Sequence, residues 1–252
     1  MSEIRRLFLE LSYKGTNYHG WQIQPNALTV QDVLDKALSV LFRQKIETVG
    51  CGRTDTGVHA TQFFAHFDLQ SDAEVQSVKF LNGINALLPF DIAVKRFIEV
   101  EPEAHARFDA TLRSYEYHIH FKKDPFKHNF STLIRDELDV SAMNEAANIL
   151  LEYRDFSCFS KSNTQVFTNN CTINRAEWKR EDDSLTFFIS ADRFLRNMVR
   201  AIVGTLMPIG RGEFKPEGIR NIIESKNRSN AGTSVPACGL YLTEVLYPYL
   251  ND

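Results

Sequence analysis

Residues 6–13, RLFLELSY, alternate apolar and polar positions, put Leu7, Leu9 and Leu11 on one face and predict a strand. The period then lengthens. In residues 29–44, TVQDVLDKALSVLFRQ, one stripe carries Val30, Val33, Leu34, Ala37, Leu38 and Leu41, and Thr29 before Asp32 predicts a capped helix start. Ile46–Val49 reads as a short second strand, and residues 61–69, TQFFAHFDL, as a third with Phe63, Ala65, Phe67 and Leu69 alternating. Residues 72–88 carry a helical pattern that stops at Pro89, and DIAVKRFIEV, residues 91–100, returns as a strand. The order strand-helix-strand-strand-helix-strand is the split βαβ of ferredoxin-like domains.

The rest of the chain repeats that order without repeating the sequence. Residues 111–121 predict a strand and residues 141–153 a helix. Residues 172–181 and 184–191 predict a hairpin turning at Asp182-Asp183. A helix over 194–207, a short helix after Pro216 and a strand over 239–247 complete the series. The expected fold class is α+β, with two βαββαβ halves, residues 1–104 and 105–252, whose sheets join edge to edge around a central cleft. Two unrelated α+β pieces are the alternative. The junction EVEPEAHARFDA is short and polar, without a Gly/Ser linker, which favours a fixed arrangement over a hinge. The segment 223–239, IESKNRSNAGTSVPACG, is the one loop long and polar enough to be mobile or to close over a ligand.

With 252 residues, 43% of them hydrophobic, the chain can bury a substantial core. A net charge of -3 argues against a generally basic nucleic-acid binder, but a basic cleft on an acidic protein remains compatible with RNA. Cys51, Cys158, Cys171 and Cys238 show no CxxC spacing and read as free thiols. The N-terminal MSEIRRLFLELSYKG lacks the pattern of a secretory signal, and no apolar run reaches membrane-helix length, so a soluble, cytoplasmic protein is expected.

One stretch stands out against this background: Gly52-Arg53-Thr54-Asp55-Thr56-Gly57-Val58-His59, between two predicted strands. An Asp in a glycine-flanked turn is commonly a structural cap. Here Arg53 can hold the carboxylate ionised, Thr54 and Thr56 add hydroxyls, and His59 follows closely. Asp-Thr-Gly also carries the carboxylate of aspartic proteases, but those need two carboxylates sharing a proton, and the tripeptide occurs once. The histidines, among them His118 and His120 on one strand face, form no recognisable metal-ligand pattern, and no phosphate-binding glycine loop is present. A glycosidase would bring a second carboxylate; Asp109 and Asp155 can be nominated, yet nothing ties either to Asp55. What remains is a reaction centred on one carboxylate and one arginine, with Asp55 as nucleophile or base.

Partners for it are expected from the second half. Tyr115 and Tyr117 share a strand face and suit stacking on a flat base or proton exchange. Arg193, Arg196 and Arg200 punctuate the predicted helix, with Arg196 and Arg200 one turn apart. Residues 190–230 are locally basic, and this is the best candidate for a phosphate-backbone surface.

At this point the residues resemble a known family. CGRTDTGVHA is similar to the signature loop of the TruA family of tRNA pseudouridine synthases, and YKGTNYHGWQIQPN is similar to that family's opening motif. NALLPFDIAV, HARFDATLRSYEY, FLRNMVRAIVG and GLYLTEVLY follow in family order, so the likeness spans roughly residues 11 to 247. Thr56, Lys14 and Arg154 depart from the usual Ala, Asp and His. The resemblance implies the pseudouridine synthase fold, two ferredoxin-like halves with the cleft between them, and a homodimer. It implies conversion of uridine to pseudouridine in the tRNA anticodon stem-loop, at positions 38–40, without metal or cofactor. Asp55 takes the nucleophile's position, Tyr115 that of the C5 proton acceptor or stacking ring, and Arg200 that of the arginine paired with the aspartate. Arg53 matches the base-flipping arginine and Leu240 an apolar residue packed on the ring. Thr54, His59, Arg193 and Arg196 are carried as RNA-facing candidates. The rival from another class is a non-catalytic ferredoxin-like RNA-binding protein or RNA chaperone; SYEYHIHF is the nearest stretch to an RNP string and lacks its pattern.

Overall fold

The computed structural model describes residues 4–70, 75, 77–161 and 168–250. They fall into two units, Met1–Thr111 with Leu242–Asp252, and Leu112–Tyr241. The first unit therefore runs past the expected boundary at residue 104 and also takes the segment after Tyr241.

In the first unit, β1 (Ile4–Tyr13), α1 (Val30–Phe42), β2 (Val49–Gly50), β3 (His59–Gln70), α2 (Val78–Leu87) and β4 (Ile92–Val100) follow in the anticipated sequence. The spatial order is β4-β1-β3, with β2 added to β3, and every pairing is antiparallel. Leu9 sits opposite Ala65 on one side and Phe97 on the other. The alternating apolar face of β1 and β3 is fully buried at Leu7, Leu9, Leu11, Phe63 and Leu69, and α1 covers it with Leu34 and Leu38. Phe42 closes the far end of that core against Phe67, Phe80 and Phe97 at 5.9, 5.6 and 6.3 Å between ring centres. Thr29 caps α1 by accepting from the Asp32 N–H at 3.4 Å. The first part of the helix expected over 72–88 lies largely outside the described residues; α2 begins at Val78.

The short second strand starts later than the pattern predicts. Residues 46–48 are bonded to α1 side chains instead of to a strand. Ile46 N–H donates to Ser39 Oγ (2.9 Å), Thr48 N–H to Asp35 Oδ1 (3.1 Å), and Gln31 Nε2 donates to Thr48 O (2.6 Å). Gln31, Asp35 and Ser39 are spaced four apart and so line one helix edge.

β9 (Leu240–Leu246) begins at the end of the second unit and enters this one at Leu242. Thr111 N–H donates to Leu246 O (2.9 Å), Val245 N–H to the Gln62 amide oxygen (2.9 Å), and the Tyr247 hydroxyl to Ala106 O (2.6 Å).

The second unit holds β5 (Leu112–His120), β6 (Thr132–Leu133), α3 (Val140–Ile149), β7 (Ile173–Glu181), β8 (Ser184–Ala191), α4 (Met198–Gly210) and α5 (Gly218–Glu224). β8 pairs antiparallel with both β5 and β7, while β6 joins β5 in parallel, so the pairing is mixed. The hairpin turns at Asp182, whose φ of 45° suits a short polar residue. Asp139 caps α3 through the Ala142 N–H (3.0 Å), and Asn144 fastens it to β7 by exchanging hydrogen bonds with the Trp178 backbone (2.7 and 3.1 Å).

α4 corrects the sequence expectation. It begins at Met198, so Arg193 and Arg196 precede it and do not share a helix face with Arg200. The cause is local. Asp192 Oδ1 accepts from the N–H groups of Arg193 (2.7 Å) and Thr172 (2.8 Å), and Asn197 adopts φ 64°, which no helix tolerates.

Candidate active site

The loop after β2 is held from both sides. Cys51 N–H donates to Phe64 O (2.7 Å), continuing the β2–β3 ladder into the turn. Thr54 is buried and anchored twice: its hydroxyl meets the Tyr13 phenol at 2.9 Å, and its carbonyl accepts from Trp21 N–H at 3.3 Å. Gly57 N–H donates to Tyr18 O (3.3 Å), and Val58 N–H closes the turn onto Asp55 O (3.1 Å). His59 is only 2% exposed and accepts from Gly15 N–H through Nδ1 (3.1 Å). Asp55 stands half-buried and Arg53 exposed between these fixed points.

Two glycines make this approach possible. A Cβ on Gly15 would lie 1.9 Å from Val58 O, and one on Gly20, which has φ 84°, would lie 2.3 Å from Thr54 O. Behind the loop, Trp21 stacks on Phe63 at 4.2 Å, with Tyr13 5.5 Å from Phe63. The framing role of Tyr13, Gly15, Tyr18, Gly20 and Trp21 is missing from the sequence reading. Its signal is the density of glycine and aromatic residues in YKGTNYHGW, which follows β1 without a helical or alternating period.

In the second unit, Tyr115 is half-buried on β5, opposite Ile189, with its ring edge-on to Phe194 at 5.1 Å. Tyr117, on the same face, is fully buried and unsuited to stacking on a base. Its hydroxyl meets Thr132 Oγ1 (2.7 Å) and donates to Pro236 O (2.9 Å). Burial pushes that phenol far above the usual range, against the opposing pull of Thr132 and of the Arg200 charge. Arg200 donates through Nε to Val235 O (2.8 Å), and Val235 N–H returns to Arg200 O (3.2 Å). Arg193 is half-buried and Arg196 exposed, while Leu240, where β9 starts, is buried.

The 223–239 segment is not a free strap. Gly232 N–H donates to Thr205 Oγ1 (2.8 Å), and Ser234 Oγ accepts from Asn197 (2.6 Å) and Arg228 (3.1 Å). A Cβ on Gly204 would lie 1.9 Å from Thr233 O, so this loop packs directly on the α4 backbone.

The other residues nominated from the sequence have partners of their own. Asp109 accepts from His105 N–H (2.7 Å) and the Tyr249 hydroxyl (2.8 Å). Asp155 caps Ser157 (3.0 Å) and pairs with Lys226 (2.8 Å). His118 faces Glu116 and Thr186, whereas His120 bonds Ser131. Among the described residues no cluster of three or more His, Cys, Asp and Glu is arranged to hold a metal ion. Burial raises the Cys158 and Cys171 thiols to about 12, which makes them inert packing groups. No helix among the described residues is long and apolar enough to cross a membrane.

Comparison with known proteins bears on both units. A family model described as tRNA pseudouridine synthase matches residues 146–248. A tRNA pseudouridine synthase A of Parabacteroides distasonis is 52% identical, over 97% of this chain and 97% of its own. That of Bacteroides thetaiotaomicron is 51% identical over 97% of this chain and 91% of its own. The more distant one of Acetivibrio thermocellus is 41% identical over 97% of this chain and its full length. Identity at this level over nearly the whole length leaves no room for a shared fold alone: the chain belongs to the tRNA pseudouridine synthase A family.

Proposed function

We propose that this enzyme isomerises uridine to pseudouridine in the anticodon stem-loop of tRNA, at positions 38–40, with Asp55 as the nucleophile. The isomerisation itself rests on one observation, the near-full-length identity to tRNA pseudouridine synthases A. The assignment to Asp55 draws support from the loop's construction. Its neighbours Thr54, Val58 and His59 are buried and hydrogen-bonded, which fixes the backbone on both sides of the carboxylate. A nucleophile needs that constraint more than a surface turn does.

In this reading the carboxylate attacks C1′ of the ribose or C6 of the uracil. The bond between N1 and C1′ breaks, the ring turns and C5 bonds to C1′; the carboxylate is expelled from C1′ by that attack, or afterwards eliminated from C6, and the C5 proton leaves while N1 takes up a proton. No electrons enter or leave the system, so the chemistry needs no redox partner. Tyr115, half-buried with its ring steadied by Phe194, is suited to receive the C5 proton or to stack on the uracil. Arg200 is proposed as a catalytic cation, and Leu240 as the apolar surface for the ring. Arg53, exposed beside Asp55, suits insertion into the space vacated by a base flipped at a cost of a few kcal/mol. The strand order β4-β1-β3-β2 of the first unit is that of a ferredoxin-like half, which supports two such halves as the framework. A homodimer working in the cytoplasm completes the proposal.

The test is release of tritium from unmodified tRNA labelled at uridine C5, with wild type beside Asp55→Asn. Release by wild type, abolished in a variant that still binds tRNA, is the expected result. Wild-type binding without release would favour the RNA-chaperone alternative, and full release by Asp55→Asn would remove Asp55 from the chemistry.

A further inference from the structure

Tyr117 is the largest fully buried polar side chain of the second unit, and the chemistry above does not use it. Its surroundings are specific. Pro236 O can only accept, so the Tyr117 hydroxyl donates its proton there at 2.9 Å. The contact with Thr132 Oγ1 at 2.7 Å must then run the other way, with the threonine donating to the phenol oxygen. Cys238 Sγ lies 3.9 Å from the same Thr132 oxygen and completes a chain that ends on the Pro236 carbonyl. Gly239 lets the loop close over it: a Cβ there would lie 2.9 Å from Tyr117 Cζ and 3.0 Å from Thr132 Oγ1.

The adjoining carbonyl is the second half of the device. Val235 O accepts from Arg200 Nε at 2.8 Å, and Val235 N–H donates back to Arg200 O at 3.2 Å. One peptide unit thus separates the acceptor of Tyr117 from the acceptor of Arg200. The preceding residue, Ser234, is held by Asn197 and Arg228. Fixing Nε of a planar guanidinium fixes the plane of the whole group, and with it the direction of every other donor. A carbonyl whose peptide plane could tilt about the flanking Cα bonds would set no such direction.

We infer that Tyr117 is a positioning residue: by clamping Pro236 O it locks the Val235 carbonyl and so sets the orientation of the Arg200 guanidinium. The inference rests on the proposed role of Arg200 only for its catalytic consequence; the clamp itself is a statement about Arg200 Nε. Tyr117→Phe keeps the ring and removes the donor.

Two readouts test it on the full-length protein. The first needs no activity. The Arg200 Nε–H resonance, assigned by its loss in Arg200→Lys, is expected to exchange slowly with solvent in wild type and at least about tenfold faster in Tyr117→Phe. Thr132→Val, which removes a neighbouring hydrogen bond but leaves the Tyr117–Pro236 contact, is expected to keep the slow exchange. Fast exchange in wild type, or equal exchange in wild type and Tyr117→Phe, overturns the clamp. The second readout is turnover. Tyr117→Phe should lower kcat on the order of tenfold with KM for tRNA unchanged, and should cost nothing further in an Arg200→Lys background. An equal loss in both backgrounds means that Tyr117 does not act through Arg200. A wild-type rate in Arg200→Lys together with altered exchange in Tyr117→Phe would sink the role of Arg200 and leave the clamp standing.

Discussion

The Thr54 hydroxyl and the Tyr13 phenol meet at 2.9 Å in a buried setting, linking the residue before Asp55 to the end of β1. Thr54→Val preserves shape and deletes the hydroxyl, leaving the phenol without this contact. The expected cost is about 1–3 kcal/mol of stability. Because the same residue fixes the backbone beside Asp55, kcat should fall while KM for tRNA holds. Urea unfolding and steady-state turnover measure the two effects; unchanged turnover in a destabilised variant would detach Thr54 from catalysis.

Gly20 and Gly212 both have positive φ, 84° and 75°, but only Gly20 is crowded. A Cβ on Gly20 would lie 2.3 Å from Thr54 O, whereas one on Gly212 would meet nothing within 4 Å. Gly212→Ala should therefore cost only the backbone term, about 1–2 kcal/mol. Gly20→Ala carries that term plus a displaced Thr54 carbonyl, so it should be clearly less stable and lose turnover as well. Equal melting temperatures for the two variants would show that the loop gives way without consequence.

Asp35 is 8% exposed, and burial raises its carboxyl to about 6 against the hydrogen bonds from Thr48. The folded protein thus holds this proton more tightly than the unfolded chain does. Its contribution to stability is full below the unfolded pKa near 4 and is lost as pH rises through about 6, a change of roughly 3 kcal/mol. His66 works in the opposite sense. Burial, with the His105 and Arg6 charges, lowers it to about 4, so its contribution is present above about 6.5 and lost as pH falls. The two slopes offset each other in wild type. Asp35→Asn keeps an acceptor for Thr48 and removes the titration, so its stability relative to wild type should improve between pH 4.5 and pH 8. A pH-independent difference would mean that Asp35 titrates normally.

Arg196 is exposed and Arg193 half-buried in the turn before α4. If they contact the phosphate backbone, replacing each by Ala should weaken tRNA binding and reduce the slope of log K against log salt by about one. Filter binding at several salt concentrations measures the slope, and an unchanged slope removes the residue from the RNA surface.

Much of the framework was legible because period and capping agree. Thr29 marks the start of α1, and the alternation over β1 and β3 gives the buried face directly. The Gly52–His59 loop could be nominated as a candidate site through its composition. What sequence could not carry was where backbone groups find partners far along the chain. Residues 46–48 look like a strand by hydropathy, yet their N–H and carbonyl groups belong to Gln31, Asp35 and Ser39. The 223–239 loop looks mobile by composition, yet Thr205, Arg200 and Tyr117 hold it, the last from 119 residues away. Asn197 gives no sign in the apolar pattern that it ends one conformation and begins another.

The return of β9 to the first unit orders events during synthesis. Residues 112–241 form a contiguous unit, whereas the unit that leaves the ribosome first is completed only by Leu242 and beyond. Until then Ala106 O, Asp109 and the Gln62 amide await Tyr247, Tyr249 and Val245. The unit that holds the Asp55 loop therefore cannot complete its hydrogen bonds until the closing segment of the chain, Leu242–Asp252, has been made.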